Sequence, residues 1–568
     1  MHFFLALALL VSMFAEAKET IDLRTIAEKS SWKQTGRADE TARLCRNFQK
    51  HYPSQVACRT LGKTPENRDL FYLVVGNPKD PVVWVQAGIH AGEIDGKDAV
   101  FLLLSEILEK KIKSNPLKGL CLVFLPIMNL DGHERFGKWN RPNQIGPEEM
   151  GWRTTSQNLN LNRDFMKLDA PEMRDILTLW HKMDPILSLD LHVTDGAQFQ
   201  PEVGLIVLPN DYYGSSSLHK FGKAFETELV EKMKSKGHLA LPFYPSFEND
   251  KDPLSGFSRY VATARFSQGY WYNNNRLGML VETHSWKDYA NRVKTHHDTV
   301  LASLELAQLN SKLWKKAASE LDNQKLAGTN IDLEYKHTDK SQIIDFPGYE
   351  FSKKKSLVSG DEVLKYNPLV QQIWKVPFYE EVIPTLTVVA PLEGYFIQPS
   401  DFSWILPKLK VHAIKYQNGI KDSPKNLKVY RATKTQFGAN SYEGHQTLSV
   451  EGEWKMEDAQ LPKGSIFVPI NQPKARLIVQ LFEPRAQDSF MSWGFFNKAF
   501  ERKEYMEDYV TEDVATEMLK RPEIKKEFEE KLKSDAEFAK SPEKRFEFFY
   551  KKHASWDERM NRYPVFKK

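Results

Sequence analysis

The sequence predicts an α/β protein: a mixed or mostly parallel sheet flanked by helices, then a β-rich module, then a charged helical C-terminal region. Three observations point there. Short, almost wholly apolar runs alternate with helix-length amphipathic segments as far as about residue 310, as expected of strands buried on both faces beneath helices. Beyond about residue 320 the runs alternate apolar with polar and are separated by Gly, Pro and Asn, the pattern of antiparallel strands. From about residue 487 the chain is rich in Glu and Lys at helical spacing.

The elements follow in order. "FFLALALLVSMF" then "AEA" has the length and small-x-small ending of a signal peptide over 1–17, although no Lys or Arg precedes it. The run is too short to span a bilayer comfortably and no later segment is long enough, so a soluble exported protein, periplasmic or secreted, is expected. In the region 18–320, "DLFYLVVG", "PVVWVQAG", "LCLVFLPIM", "PILSLDLHV", "GLIVLP" and "LGMLVETH" read as strands. "GKDAVFLLLSEILEKKI", "APEMRDILTLWHKM", "LHKFGKAFETELVEKMKSKG" and "HHDTVLASLELAQLNSKLWKKAASEL" read as helices. The β-rich module covers 321–486, with "LKVYRATKT" and "HQTLSVEGEWKMED" among its strands. The region 487–568 reads as amphipathic helices packing back on the rest, in preference to a partner-binding arm.

Length and charge exclude some classes. A chain of 568 residues exceeds one ordinary domain, and a formal charge of +4 gives no case for nucleic acid. Of three cysteines, Cys121 opens a core strand, while Cys45 and Cys58 either pair in an oxidising compartment or stay free. There is no Cys-x-x-Cys, His-Glu-x-x-His, Gly-x-Ser-x-Gly or phosphate-binding Gly-Lys-Ser/Thr motif.

What remains is a constellation at strand ends. "QAGIHAGEIDG" places His90 and Glu93 directly after an apolar run, and "ILSLDLHVTDG" places His192 likewise. Two imidazoles and a carboxylate are the donors of a catalytic zinc that keeps a position for water, and open α/β sheets gather such residues at the carboxyl ends of their strands. Glu282, in "LGMLVETH", ends another run and suits a general base. A lone histidine at such a place is more often structural; four apt side chains at three strand ends favour a site. Arg153, Asn162 and Arg163 lie on the Asn-rich stretch "GWRTTSQNLNLNRDF", and guanidinium forks suit carboxylates. His133, His284, His296 and His297 are not assigned to metal; His296 and His297 open a helix and read as solvated.

"GIHAGE", "NLDG", "NLNLNRDF", "DLHVTDG" and "MLVETHSW" stand in the order found in the M14 zinc carboxypeptidases, the carboxypeptidase A family, which the chain resembles over about residues 40–310. The resemblance implies a mixed sheet of about eight strands, one zinc on His90, Glu93 and His192, and Glu282 as general base then acid. It implies Arg153 as the group polarising the scissile carbonyl, with Arg141 competing, and Asn162 and Arg163 as the grip on a substrate's C-terminal carboxylate. The implied substrates are peptide or protein C-termini; the extension resembles that of bacterial exported members.

There are departures. Asn160 stands where the family has a supporting aspartate, and Asp164 adds a negative charge beside Arg163. The substrate-capping tyrosine has three candidates: Tyr260, Tyr270 and Tyr272. On the same plan stand a peptidoglycan stem-peptide carboxypeptidase or amidase and an N-acyl amino acid deacylase, and from another class a non-catalytic peptide-binding protein.

Overall fold

The structure is a computed structural model, and it describes residues 21–420 and 423–568; the expected signal peptide lies outside them. Nine strands occupy the first half: β1 (Val56–Lys63), β2 (Asp69–Val75), β3 (Val82–Ala87), β4 (Cys121–Leu125), β5 (Leu187–Thr194), β6 (Val203–Leu208), β7 (Ala240–Leu241), β8 (Phe257–Ser258) and β9 (Leu277–His284). All but β8 form one sheet in the order β1-β2-β4-β3-β5-β9-β6-β7. The centre, β4-β3-β5-β9, is parallel; β2 runs antiparallel to both β1 and β4, and β6 runs antiparallel to β9 with β7 parallel beside it. The mixed eight-stranded sheet is therefore present.

Its apolar runs follow from burial. Every residue of β3, β4 and β5 is buried, because helices cover both faces. Asp95–Leu108, Ser217–Ser235 and Tyr289–Asp322 pack on one face, through a core that includes Val83, Val85, Leu104, Leu189, Met279 and Leu304. Pro171–Met183 and Ser267–Asn273 lie on the other, over Trp84, Val123, Trp180 and Trp271. That second core does not stop at the sheet; it continues without a break into Tyr395, Leu477, Phe482 and Tyr563 of the C-terminal half.

The second half contains β10 (Asn330–His337), β11 (Gln342–Lys355), β12 (Glu362–Tyr379), β13 (Val382–Val389), β14 (Gly394–Ile397), β15 (Leu427–Phe437), β16 (Leu448–Glu457), β17 (Ile466–Pro469) and β18 (Arg562–Lys567). β10 pairs with β13, and the long β11–β12 hairpin takes β8 as a third, parallel strand. The remaining strands form a sheet in the order β16-β15-β18-β14-β17. The region read as a helical tail is helical over Asp508–Met518, Pro522–Ser534 and Pro542–Tyr550. Its last residues differ from that expectation: β18 is the central strand of the five-stranded sheet, because Tyr563, Val565 and Phe566 are buried in it. Six residues with a proline were too short a run to register as a strand.

Cys45 and Cys58 are joined in a disulfide between the helix Ala38–His51 and β1. A closed loop of this size constrains the unfolded chain by about 3 kcal/mol. The Cys45→Ala/Cys58→Ala variant is expected to lose about that much unfolding free energy in a urea titration. Among the described residues no helix is long and apolar enough to cross a membrane.

Candidate metal centre and substrate cleft

At the end of β3 the chain turns sharply through Gly88, whose φ of +63° suits a residue without Cβ. Glu93 N bonds back to His90 O at 2.9 Å, closing a tight turn that aims both side chains the same way. His192 lies near the end of β5, directly beside Glu282 of β9 in the parallel register. Neighbouring residues of paired strands project to the same face, so Glu282 flanks the histidine one strand away.

The three candidate ligands are buried and meet. His90 Nδ1 is 3.0 Å from Glu93 Oε1, and His192 Nδ1 is 3.0 Å from Glu93 Oε2. Their ligand atoms all lie within 4.8 Å of one another. The far nitrogens face acceptors: His90 Nε2 lies 3.2 Å from Asn160 Oδ1, and His192 Nε2 lies 3.0 Å from Asp190 Oδ2. At His90 an acceptor on Nε2 keeps the proton there and leaves the Nδ1 lone pair facing the cluster. His192, between Asp190 and Glu93, is instead held by those carboxylates well above the usual imidazole range despite its burial. His90 Nδ1 is buried with no hydrogen-bond partner among the described residues. Two inward imidazole nitrogens and a carboxylate fit a divalent cation of the zinc type.

The electrostatics agree with a compact, dry cluster. Burial pushes His90 down to about 4 and keeps it neutral. Glu93 is also penalised by burial, yet its His90, Arg141 and His192 neighbours hold it well below the usual carboxylate range. Burial pushes Glu282 up to about 8, and its Oε2 is buried with no hydrogen-bond partner among the described residues. A carboxylate so placed is a stronger base than an exposed one.

Two arginines reach this cluster. Arg141 Nη1 lies 2.9 Å from Glu93 Oε1, and its other nitrogens donate to Val193 O at 3.1 Å and Gln144 Oε1 at 3.3 Å. Its stem passes over Gly92, where a Cβ would sit 2.6 Å from Arg141 Cγ. Arg153 Nη1 is 3.4 Å from the same Glu93 oxygen. The Arg141 side chain is 8% exposed and locked, whereas that of Arg153 is 39% exposed and has room to take a ligand. The loop bearing Arg141 is anchored by Arg292, which donates to Ile145 O and Gly146 O and pairs with buried Asp95, two residues beyond Glu93.

These groups line a cleft of about 430 Å³ whose wall includes His90, Glu93, Arg141, Arg153, Tyr244 and Glu282. Asn162 and Arg163 are not in that wall. Arg163 stands at the end of an aromatic row leading from it: Tyr244 to Tyr260 at 6.2 Å, Tyr260 to Phe266 at 6.3 Å, and the Arg163 guanidinium 4.6 Å above Phe266. Of the three tyrosine candidates only Tyr260 belongs to this row. Tyr270 is buried between His181 and His412, and Tyr272 packs on Tyr213 beneath Arg476. Tyr244 was not singled out in the sequence, since it falls in an irregular stretch with no periodicity to mark it.

Two expectations are corrected. Asp164 adds no charge to the cleft: it is fully buried, 2.7 Å from Lys167 Nζ, and accepts from the backbone N of Asp169 and Ala170. His296 is not solvated but fully buried, with Nε2 3.1 Å from both Thr283 Oγ1 and His192 O. It sits inside the long helix Tyr289–Asp322 rather than at its start, so it supports the backbone of β5. His284 stacks on Phe199 at 3.9 Å and takes no part in the cluster.

Comparison with known proteins finds similarity to carboxypeptidases. Residues 41–190 match the family model described as zinc carboxypeptidase. Carboxypeptidase 2 of Trichophyton rubrum is 23% identical over 487 residues, 83% of this chain and 82% of that protein. Carboxypeptidase D of Homo sapiens is 27% identical over 165 residues, 26% of this chain and 11% of that one. Among solved structures, a metallo-carboxypeptidase from Burkholderia cenocepacia aligns with a TM-score of 0.37 at 17% identity, over 48% of this chain and 69% of its own. The matched residues and the relatives make the chain similar to zinc carboxypeptidases of the M14 type over residues 41–190.

Proposed function

We propose that this chain, related to the M14 metallocarboxypeptidases, is an exported zinc-dependent carboxypeptidase that hydrolyses the last peptide bond of substrates with a free C-terminus. The observation that carries the reading is the meeting of His90, Glu93 and His192 at adjoining strand ends, with Glu282 beside them in register. These three residues would hold one zinc, which supplies Lewis-acid activation of water and carbonyl when bound.

The chain's own groups supply the rest. Glu282 takes the proton from the attacking water and returns it to the leaving amine, a service worth roughly 10²- to 10⁴-fold. Arg153 steadies the oxygen that becomes negative, and one such donor contributes about 3 kcal/mol. Arg141, held on Glu93, Val193 and Gln144, positions the ligand carboxylate instead. Tyr244 in the cleft wall and Tyr260 on the row behind it exclude water. Asn162 and Arg163 hold the terminal carboxylate and so restrict cleavage to the last bond. The disulfide accords with an oxidising compartment.

Arg163→Ala is expected to raise KM for peptides with a free C-terminus by about 10²-fold, from losing a charge-assisted contact. Kinetics on free-acid and amidated peptides check this, and equal behaviour of both in the wild type would contradict the carboxylate grip. A panel of peptides, muropeptides and N-acyl amino acids tests the substrate class: turnover confined to the last would favour a deacylase.

A further inference from the structure

Residues of the C-terminal half reach the segment that carries Arg163. The β15–β16 hairpin closes at its far end in a turn in which Tyr442 pairs with His445, with Glu443 at φ +50° and Gly444 at φ +79°. Two consecutive positive φ angles define a tight two-residue hairpin turn. The turn sits directly on residues 160–169. Arg163 Nε donates to Tyr442 Oη at 3.1 Å, Asn160 N donates to Glu443 Oε2 at 3.0 Å, and His445 Nε2 lies 2.7 Å from Asp169 Oδ2. Its placement is fixed from behind. The Tyr442 ring lies parallel to Trp493 at 5.9 Å, and Trp493 is covered by Arg265, itself bound to buried Asp488 at 2.5 Å.

The chemistry at Arg163 is then asymmetric. Nε is taken by Tyr442 and Nη1 donates to Asn162 O at 2.7 Å, while no acceptor meets Nη2 among the described residues. The Tyr442 hydroxyl accepts from Nε, and among the described residues its own proton has no acceptor. Two donors, one guanidinium nitrogen and one phenol, thus stand side by side with no acceptor among the described residues. Side-by-side donors are what a carboxylate with two oxygens accepts from.

Resting on the carboxypeptidase reading above, we infer that the Tyr442–His445 turn completes the substrate site: Tyr442 holds Arg163 in place and donates its hydroxyl proton to the C-terminal carboxylate of the peptide. The C-terminal half is then a working part of the substrate site, and Tyr442, some 280 residues from Arg163 in sequence, is a substrate-binding residue.

The test uses the zinc-loaded full chain as wild type, Tyr442→Phe and Arg163→Ala, on one peptide as free acid and as C-terminal amide. Phenylalanine keeps the ring against Trp493 and removes only the hydroxyl. The expected result is a KM for the free acid raised about three- to tenfold, with kcat little changed and the amide uncleaved by every variant. A merely structural role would instead lower kcat together with the fraction of folded, zinc-loaded protein. If Arg163→Ala raises KM for the free acid and Tyr442→Phe does not, the inference fails while Arg163 keeps its role. If neither variant changes the preference for the free acid, the carboxylate reading of Arg163 fails and takes this inference with it.

Discussion

Glu282→Gln is expected to lower kcat by about 10²- to 10⁴-fold while zinc stays bound at wild-type stoichiometry. The two readouts separate because Glu282 lies beside the ligand cluster and outside it: the three groups within reach of one ion are His90, Glu93 and His192. Glutamine matches glutamate in volume, so the packing between β5 and β9 is kept. What it loses is basicity, which burial has raised to about 8. Steady-state kinetics with metal analysis of the same sample check this. Unchanged kcat would remove Glu282 from the reaction, and loss of zinc along with activity would make it a ligand.

His192→Ala is expected to weaken zinc binding by about 10²- to 10³-fold. Structural zinc sites with four ligands are held by roughly 10–16 kcal/mol, so one ligand accounts for about 3–4 kcal/mol. The loss should be close to that full share. His192 is fixed on β5, bracketed by Asp190 and Glu93, with His296 bonded to its carbonyl. Among the described residues no other histidine is placed to replace it, since His284 is stacked on Phe199 and His296 faces away toward Thr283. Competition with a chromophoric chelator measures the change. An affinity equal to wild type would mean that the ion sits elsewhere.

The cluster was legible in the sequence because strands buried on both faces are written as unbroken apolar runs. The first metal-capable residue after such a run marks the sheet's carboxyl edge, as His90 does after β3. His192 and Glu282 fall in the last turns of pleat of β5 and β9 rather than beyond them, which leaves the argument intact because they share a register. The eight-stranded mixed sheet followed from the same runs together with the family resemblance.

What the sequence hid has a common cause: contacts between residues far apart and without periodicity. Which arginine is locked and which is accessible depends on the room left above Gly92 and on Arg292 tying down the loop after Arg141. Tyr244 and Tyr260 come from an irregular segment, so nothing distinguished them from Tyr270 and Tyr272 until packing buried the latter two. The contact of Tyr442 with Arg163 spans two halves that read as separate regions, and their shared core shows why they meet. β18 was hidden because a short strand in the middle of a sheet takes its stability from neighbours contributed by distant sequence.

The most direct test of the central claim is mass spectrometry of products from one peptide, as free acid and as amide, with the purified protein before and after removal of metal. The account predicts release of single C-terminal residues from the free acid alone, lost with a chelator and restored by about one equivalent of zinc per chain. Cleavage that survives metal removal, or no cleavage by the zinc-loaded protein, would contradict it.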